Sequence, residues 1–169
     1  MLALAGVSPA GAGSTTTPSS TSAPSWMHVD SDKKTASFDI LMAENGNNGT
    51  LNFNGYGHGE MTIEVPLGWK VHMHVTNQGE GAIPHSLEIM TPAEGVPQQA
   101  VQPAFPEAET IDLVPGMSVG KSDDVDFVAD KEGKFWIMCG VPNHAVGGMW
   151  DWFIVSKSAA APSVTFKTQ

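Results

Sequence analysis

The residues with chemistry to offer lie near the C-terminus, where the chain reads Phe135-Trp136-Ile137-Met138-Cys139-Gly140-Val141-Pro142-Asn143-His144-Ala145-Val146-Gly147-Gly148-Met149. An apolar run delivers Cys139, four residues with Gly and Pro lead to His144, and four more ending in a Gly pair lead to Met149. One loop therefore offers a thiolate, an imidazole and a thioether. That mixture suits copper, because Cu(I) prefers sulfur and Cu(II) accepts imidazole. A third strong donor must come from elsewhere, and His85 in Ile83-Pro84-His85-Ser86-Leu87 is the best candidate, with Pro84 stiffening the approach. Taken singly, a lone Cys is most often a small buried hydrophobe, a Met a core residue and a His a hydrogen-bonded one. The joint spacing, in a chain with 1 Cys, is what points to metal ligation. Two imidazoles and a thiolate in a plane, with a weak axial Met, make the arrangement of a blue-copper site.

Competing chemistries fit less well. A single cysteine excludes an intramolecular disulfide, a two-cysteine copper centre, a four-thiolate iron–sulfur cluster and covalent haem attachment. Cys139 ends an apolar strand, where a nucleophile would be poorly accessible, and no nucleophile-elbow motif supports a serine hydrolase. Structural zinc would use His85, Cys139 and His144 but would call for a fourth strong ligand in place of Met149. His72-Met73-His74 has the His-x-His spacing of oxygen-reducing copper clusters, and on a strand the two rings share a face. Such clusters need several pairs, which this chain lacks, so both are read as solvent-facing strand histidines. His58 lies in a turn with no evident partner, and His28 at a segment boundary. Trp136, Trp150 and Trp152 are expected to pack in the core or to shield the site from water.

The elements that must position these donors are short alternating runs separated by turn residues. Thr35–Ala43, Thr50–Asn54, Glu60–Val65, Trp69–Asn77, His85–Met90, Thr110–Val114, Asp124–Ala129, Lys134–Cys139 and Met149–Ser156 read as strands, and no stretch shows a convincing amphipathic helix. With no helical crossovers, this predicts an all-β domain of antiparallel sheets packed as a sandwich or barrel. Thr91–Glu109, with four prolines, reads as a long surface excursion with at most one helical turn. Residues 1–25 are small, polar and Pro-punctuated, a disordered Ser/Thr/Pro stalk by composition. Their opening apolar residues are too few for a span of about 20, and fit either the remnant of a membrane anchor or a plain disordered start. The domain is placed at 26–157 and a loose tail at 158–169, in which Val164 and Phe166 could dock.

The sequence resembles the cupredoxins, and within them the sulfocyanin and rusticyanin branch, whose ligand loop also runs Cys, four residues, His, four residues, Met. The resemblance rests on Leu51-Asn-Phe-Asn-Gly55, Ile63-Glu-Val-Pro-Leu-Gly-Trp69, Val75-Thr-Asn77, Pro84-His85 and Cys139-Gly-Val-Pro-Asn-His144-Ala145, across about residues 35–156. It implies a Greek-key β-sandwich holding one type 1 copper ion per chain, with His85, Cys139 and His144 as equatorial ligands and Met149 as the axial one. Many cupredoxins carry Asn after the first His ligand; here Ser86 follows, as in rusticyanin. With Pro84 it forms the outer shell of the site, and its short hydroxyl is expected to leave a drier centre of high reduction potential. The resemblance also implies a docking patch around His144, formed by Val141, Pro142, Ala145 and Val146.

The implied function is single-electron carriage without bond making or breaking: an electron carrier, not an enzyme. Expected partners are redox proteins such as a cytochrome or terminal oxidase complex, with ferrous iron as a further upstream donor. A module of a larger copper oxidase or reductase, or a copper storage or chaperone protein, is the alternative. The chain has 18 acidic residues against 8 Lys and no Arg, a formal charge of −10, which argues against a nucleic-acid partner. Low charge density with an acidic excess, together with the stalk and the resemblance, suggests a monomer in the extracytoplasmic respiratory or iron-oxidation chain of an acidophile. It would be tethered to the outer face of the membrane only through an N-terminal anchor.

Overall fold

A computed structural model describes residues 23–79 and 81–167. Among the described residues, nine strands form two sheets: β1 (Met27–Asp30), β2 (Thr35–Met42), β3 (Met61–Pro66), β4 (Lys70–Asn77), β5 (Glu88–Met90), β6 (Ser122–Val128), β7 (Gly133–Met138), β8 (Trp150–Ser156) and β9 (Ser163–Phe166). One sheet has the order β1-β2-β4-β6 and the other β5-β7-β8-β3-β9. The expected all-β sandwich is present, with one difference. β2 pairs parallel to β4 and β3 parallel to β8, so both sheets are mixed. Alternation of side chains is the same in parallel and antiparallel strands, so the sequence pattern could not distinguish them.

Alternation puts Phe38 and Ile40 of β2, Val71 and Met73 of β4, Ile63 of β3 and Phe153 of β8 into one core between the sheets. Phe105 completes it, with its ring 5.1 Å from Phe127 and 4.8 Å from Phe135. The Thr91–Glu109 excursion thus contributes to the core and is not confined to the surface. Ala104 N–H donates to Ile89 and Ile89 N–H to Ala108, so the excursion flanks β5 and covers the second face of β7, where Val96 packs with Met90, Trp136, Met138 and Ala145. It contains no helical turn.

Three other expectations are corrected. Thr50–Asn54 is not a strand: a 3-10 turn covers Asn47–Thr50 and a tight turn of isolated bridges follows at Phe53 and Tyr56. Thr110–Val114 forms turns. The C-terminal stretch expected to be loose supplies β9, antiparallel to β3, and Phe166 stacks on Tyr56 at 4.5 Å. Short edge strands carry little alternation of their own, and their partner supplies the register. The stalk at 1–25 lies outside the described residues but for its last three.

Two carboxyls are fully buried among apolar neighbours. Neither oxygen of Glu88 has a hydrogen-bond partner, and only Oδ1 of Asp151 is satisfied, by the Met61 N–H at 2.9 Å. Burial pushes Glu88 up to about 7, the nearby Glu109 adding to the effect and the dipole of the Val101 amide opposing it. Burial likewise pushes Asp151 up to about 8. Both acids are therefore neutral in the folded protein at mildly acid pH. The folded state holds these protons more tightly than the unfolded chain, where the ordinary values are 4.5 and 3.8, so their contribution is complete at low pH and is lost as pH rises toward 7 and 8. Urea unfolding of the metal-free protein should give a stability that falls by a few kcal/mol, as an order of magnitude, between about pH 4 and pH 8. Glu88→Gln with Asp151→Asn should flatten that fall, and an equally steep fall in the double variant would contradict the assignment.

Candidate metal centre

Three of the four donors expected from the sequence converge on one point. The ligand atoms of His85, Cys139 and His144 all lie within 4.8 Å of one another. Cys139 Sγ is 3.5 Å from His144 Nδ1, and the His85 and His144 rings stand 4.9 Å apart. His85 comes from the approach to β5, where its N–H and C=O exchange hydrogen bonds with Met117 at 3.2 and 2.8 Å. Asn77 at the end of β4 donates to the carbonyls of Ile83 and Met117, at 3.1 and 2.9 Å, and so ties the His85 segment to the other sheet. Cys139 follows Phe135 and Ile137 on the inward face of β7, so strand alternation aims its sulfur between the sheets.

The loop after Cys139 folds back on itself through a chain of backbone bonds. His144 N–H donates to Val141, Gly147 to Asn143, Gly148 to Ala145 and Met149 to His144. Cys139 N–H in turn donates to Met149 at 3.1 Å, which closes the loop and places buried Met149 beside the cysteine strand. Asn143 and Gly148 have positive φ, 69° and 104°. At Gly148 a side chain would also collide with the His58 ring, so glycine is required there on two grounds.

The loop is braced from outside by a segment that the sequence left without a role. Asn48 Nδ2 donates to Gly147 at 2.9 Å, Asn48 Oδ1 pairs with His58 Nε2 at 3.2 Å, and His58 N–H donates to Gly148 at 2.8 Å. His58 therefore has partners, against the expectation. The Gly-rich turn around it was the only local signal, because the contact spans about ninety residues of chain. On the other side, a Cβ at Gly140 would lie 2.7 Å from both Ala100 and Leu113.

Ser86 is an outer partner of the sulfur. Its N–H points at Cys139 Sγ at 3.4 Å, its hydroxyl donates to Leu113 at 2.6 Å and accepts from Gly140 N–H at 3.0 Å. The Ser86 hydroxyl thus links the backbone of Leu113 to that of Gly140, and it lies 3.8 Å from the Cys139 sulfur. Pro84 is half-buried and packs beside Gly116. Of the four residues expected to form a docking patch, Ala145 is fully buried and Val141 nearly so, because the loop turns them inward, whereas Pro142 and Val146 are exposed.

Electrostatics fit a cation. Both ring nitrogens of His85 are buried without a hydrogen-bond partner. Such orphans are costly, and a metal ion would take up the lone pair of one of the two. Burial, together with the neighbouring His144, pushes His85 down to about 4, and burial also lowers His144, so both imidazoles stay in the neutral form that can ligate. Burial pushes the Cys139 thiol up, with the Ser86 N–H acting against it. A bound cation reverses that balance, since coordination deprotonates a thiol.

A sulfocyanin (SoxE) domain family matches residues 22–166. Sulfocyanin of Sulfolobus acidocaldarius is 28% identical over 141 residues, 78% of this chain and 69% of that protein. Among solved structures, dithionite-reduced auracyanin from Roseiflexus castenholzii superposes with a TM-score of 0.53 at 21% identity, over 71% of this chain and 96% of that one. Rusticyanin variants give 0.52 at 22% identity, over 78% and 86%. These two likenesses show a shared fold, while the family match spans the sandwich and the donor loop together. The chain belongs to the sulfocyanin domain family of cupredoxins, with a donor set suited to a single type 1 copper ion.

Proposed function

We propose that this protein carries single electrons between redox partners outside the cytoplasm, in a respiratory or iron-oxidation chain of an acidophile, on a copper ion held by His85, Cys139, His144 and Met149. The observation that carries this reading is the buried convergence of two neutral imidazoles and one thiol with no other partner for His85. Bound copper would supply a one-electron couple, and a preset donor set would limit the rearrangement between its two oxidation states. The chain's contribution is that presetting. His85, Cys139, His144 and Met149 would hold the ion; the backbone bonds of the loop pin Cys139, His144 and Met149, and the exchange with Met117 pins His85.

His85 is fully buried and His144 half-exposed, so His144 offers the edge through which electrons enter and leave. Exposed Pro142 and Val146 flank it and give a small apolar contact, in keeping with brief redox encounters. The partner is a redox protein such as a cytochrome or oxidase subunit, with ferrous iron a further donor. The protein works as a monomer, and an N-terminal tether would hold it at the outer membrane face. In this reading the protein is a carrier, with no bond made or broken.

Copper-loaded protein should show an intense red-region charge-transfer band that His85→Ala abolishes; an unaltered band and voltammogram in that variant would overturn the ligand set. The lowered imidazole values, His85 about 4 even without metal, make protons weak competitors, so the band should persist below about pH 4. Bleaching at mild acid would contradict this. Voltammetry of Ser86→Asn should give a lower potential than the native protein, since a larger amide brings more polarity to the sulfur; an equal or higher value would refute the role given to Ser86.

A further inference from the structure

His72 and His74 play no part in the copper centre. They project from β4 onto the outer face of the four-stranded sheet, and the register sets them directly opposite Asp126 and Asp124 of β6. His72 Nδ1 lies 2.9 Å from Asp126 Oδ1, and His74 Nδ1 lies 2.6 Å from Asp124 Oδ1. A carboxylate only accepts hydrogen bonds, so each ring presents an N–H at Nδ1, and in the neutral ring that leaves Nε2 with the lone pair. His72 Nε2 and Asp124 Oδ1 are 3.9 Å apart. That is too long for a hydrogen bond, and it is close to the separation of two donors on either side of an ion with bonds of roughly 2.0–2.2 Å.

We propose that His72, Asp124 and His74 form a second, solvent-open site for a divalent transition-metal ion such as Zn2+, with Asp126 orienting the His72 ring. His72 Nε2 and Asp124 Oδ1 supply the first two donors. His74 supplies the third through Nδ1 once its ring proton has moved, by exchange with water, from Nδ1 to Nε2, so that the ring stays neutral and the ion takes the place of the proton beside Asp124. The two rings stand a strand step of roughly 6.7 Å apart, so closure takes a side-chain rotation, which their exposure permits. Water fills the remaining positions. The Asp126–His72 pair is the carboxylate–imidazole arrangement that raises the basicity of a metal-binding histidine. Charge favours a cation: Asp39 on β2 lies beside His74 in the register, adding a third carboxylate to this face, while Lys70, the next residue along it, sits opposite Val128 beyond Asp126. Two imidazoles and a carboxylate favour zinc, nickel or cupric ions over magnesium or calcium.

The test is calorimetric titration of the copper-loaded protein with zinc chloride at neutral pH, with the copper absorption followed in the same samples. The native protein should bind one zinc equivalent while the copper band stays unchanged. His72→Ala, His74→Ala and Asp124→Asn should each weaken that binding at least about tenfold, and Asp126→Asn by a measurable but smaller factor. His28→Ala, on the same face beside Asp39, should bind zinc like the native protein. The proposal falls if the native protein takes up no zinc beyond its copper site, if the His72 and His74 variants bind as well as the native protein, or if His28→Ala weakens binding as much as they do. The last result would mean diffuse attraction to an acidic surface.

Discussion

The structure depends on keeping two imidazoles and one sulfur close together in a place that water does not reach. Left to itself, that cluster is unfavourable, because both His85 nitrogens lose their hydrogen bonds and the Cys139 sulfur loses hydration. The backbone that carries the cluster is itself well bonded. Ser86 joins Leu113 to Gly140, Met117 exchanges bonds with His85, and the loop from Cys139 to Met149 is closed by its own backbone. At the cluster, the unmet demand includes the lone pair of His85, which a bound copper ion would meet. A rigid set of donors changes little between oxidation states, which is the property a one-electron carrier needs.

Each sheet contributes a different part of this arrangement. The five-stranded sheet carries Cys139 on the inward face of β7, and it carries Met149 at the start of β8. The four-stranded sheet does not reach the site directly, yet Asn77 at the end of β4 grips the two carbonyls that flank the His85 segment. The excursion between β5 and β6 then buries the second face of β7. It excludes water from behind the cysteine strand and puts Phe105 into the aromatic core. Glu88 and Asp151 lie in the same dry sheet, and their neutral forms are the ones it accommodates.

The cluster of His85, Cys139 and His144 was legible in the sequence because metal chemistry restricts such a set to few residue types, and a lone cysteine left little room for another reading. The cores of β2, β3, β4, β7 and β8 were legible for a similar reason: each is long enough for alternation to repeat. What could not be read were features set by contact rather than by pattern. The parallel pairings have the same alternation as antiparallel ones. β1 and β9 are short edge strands whose register comes from their neighbours. Ala145 and Val141 turn inward because the loop closes on itself. Asp151 alternates with Trp150 and Trp152 as an apolar residue would, and nothing in its neighbours along the chain marks it as buried.

His58 and Asn48 meet the backbone of Gly147 and Gly148 across the full width of the polypeptide's order. Two stretches that look unrelated on paper are therefore cut to one common measure. A donor loop borrowed from a relative and made longer or shorter by even a residue would arrive without its buttress. Transplants between family members should succeed only when both pieces travel together, and inherited changes in loop size should come in matched pairs.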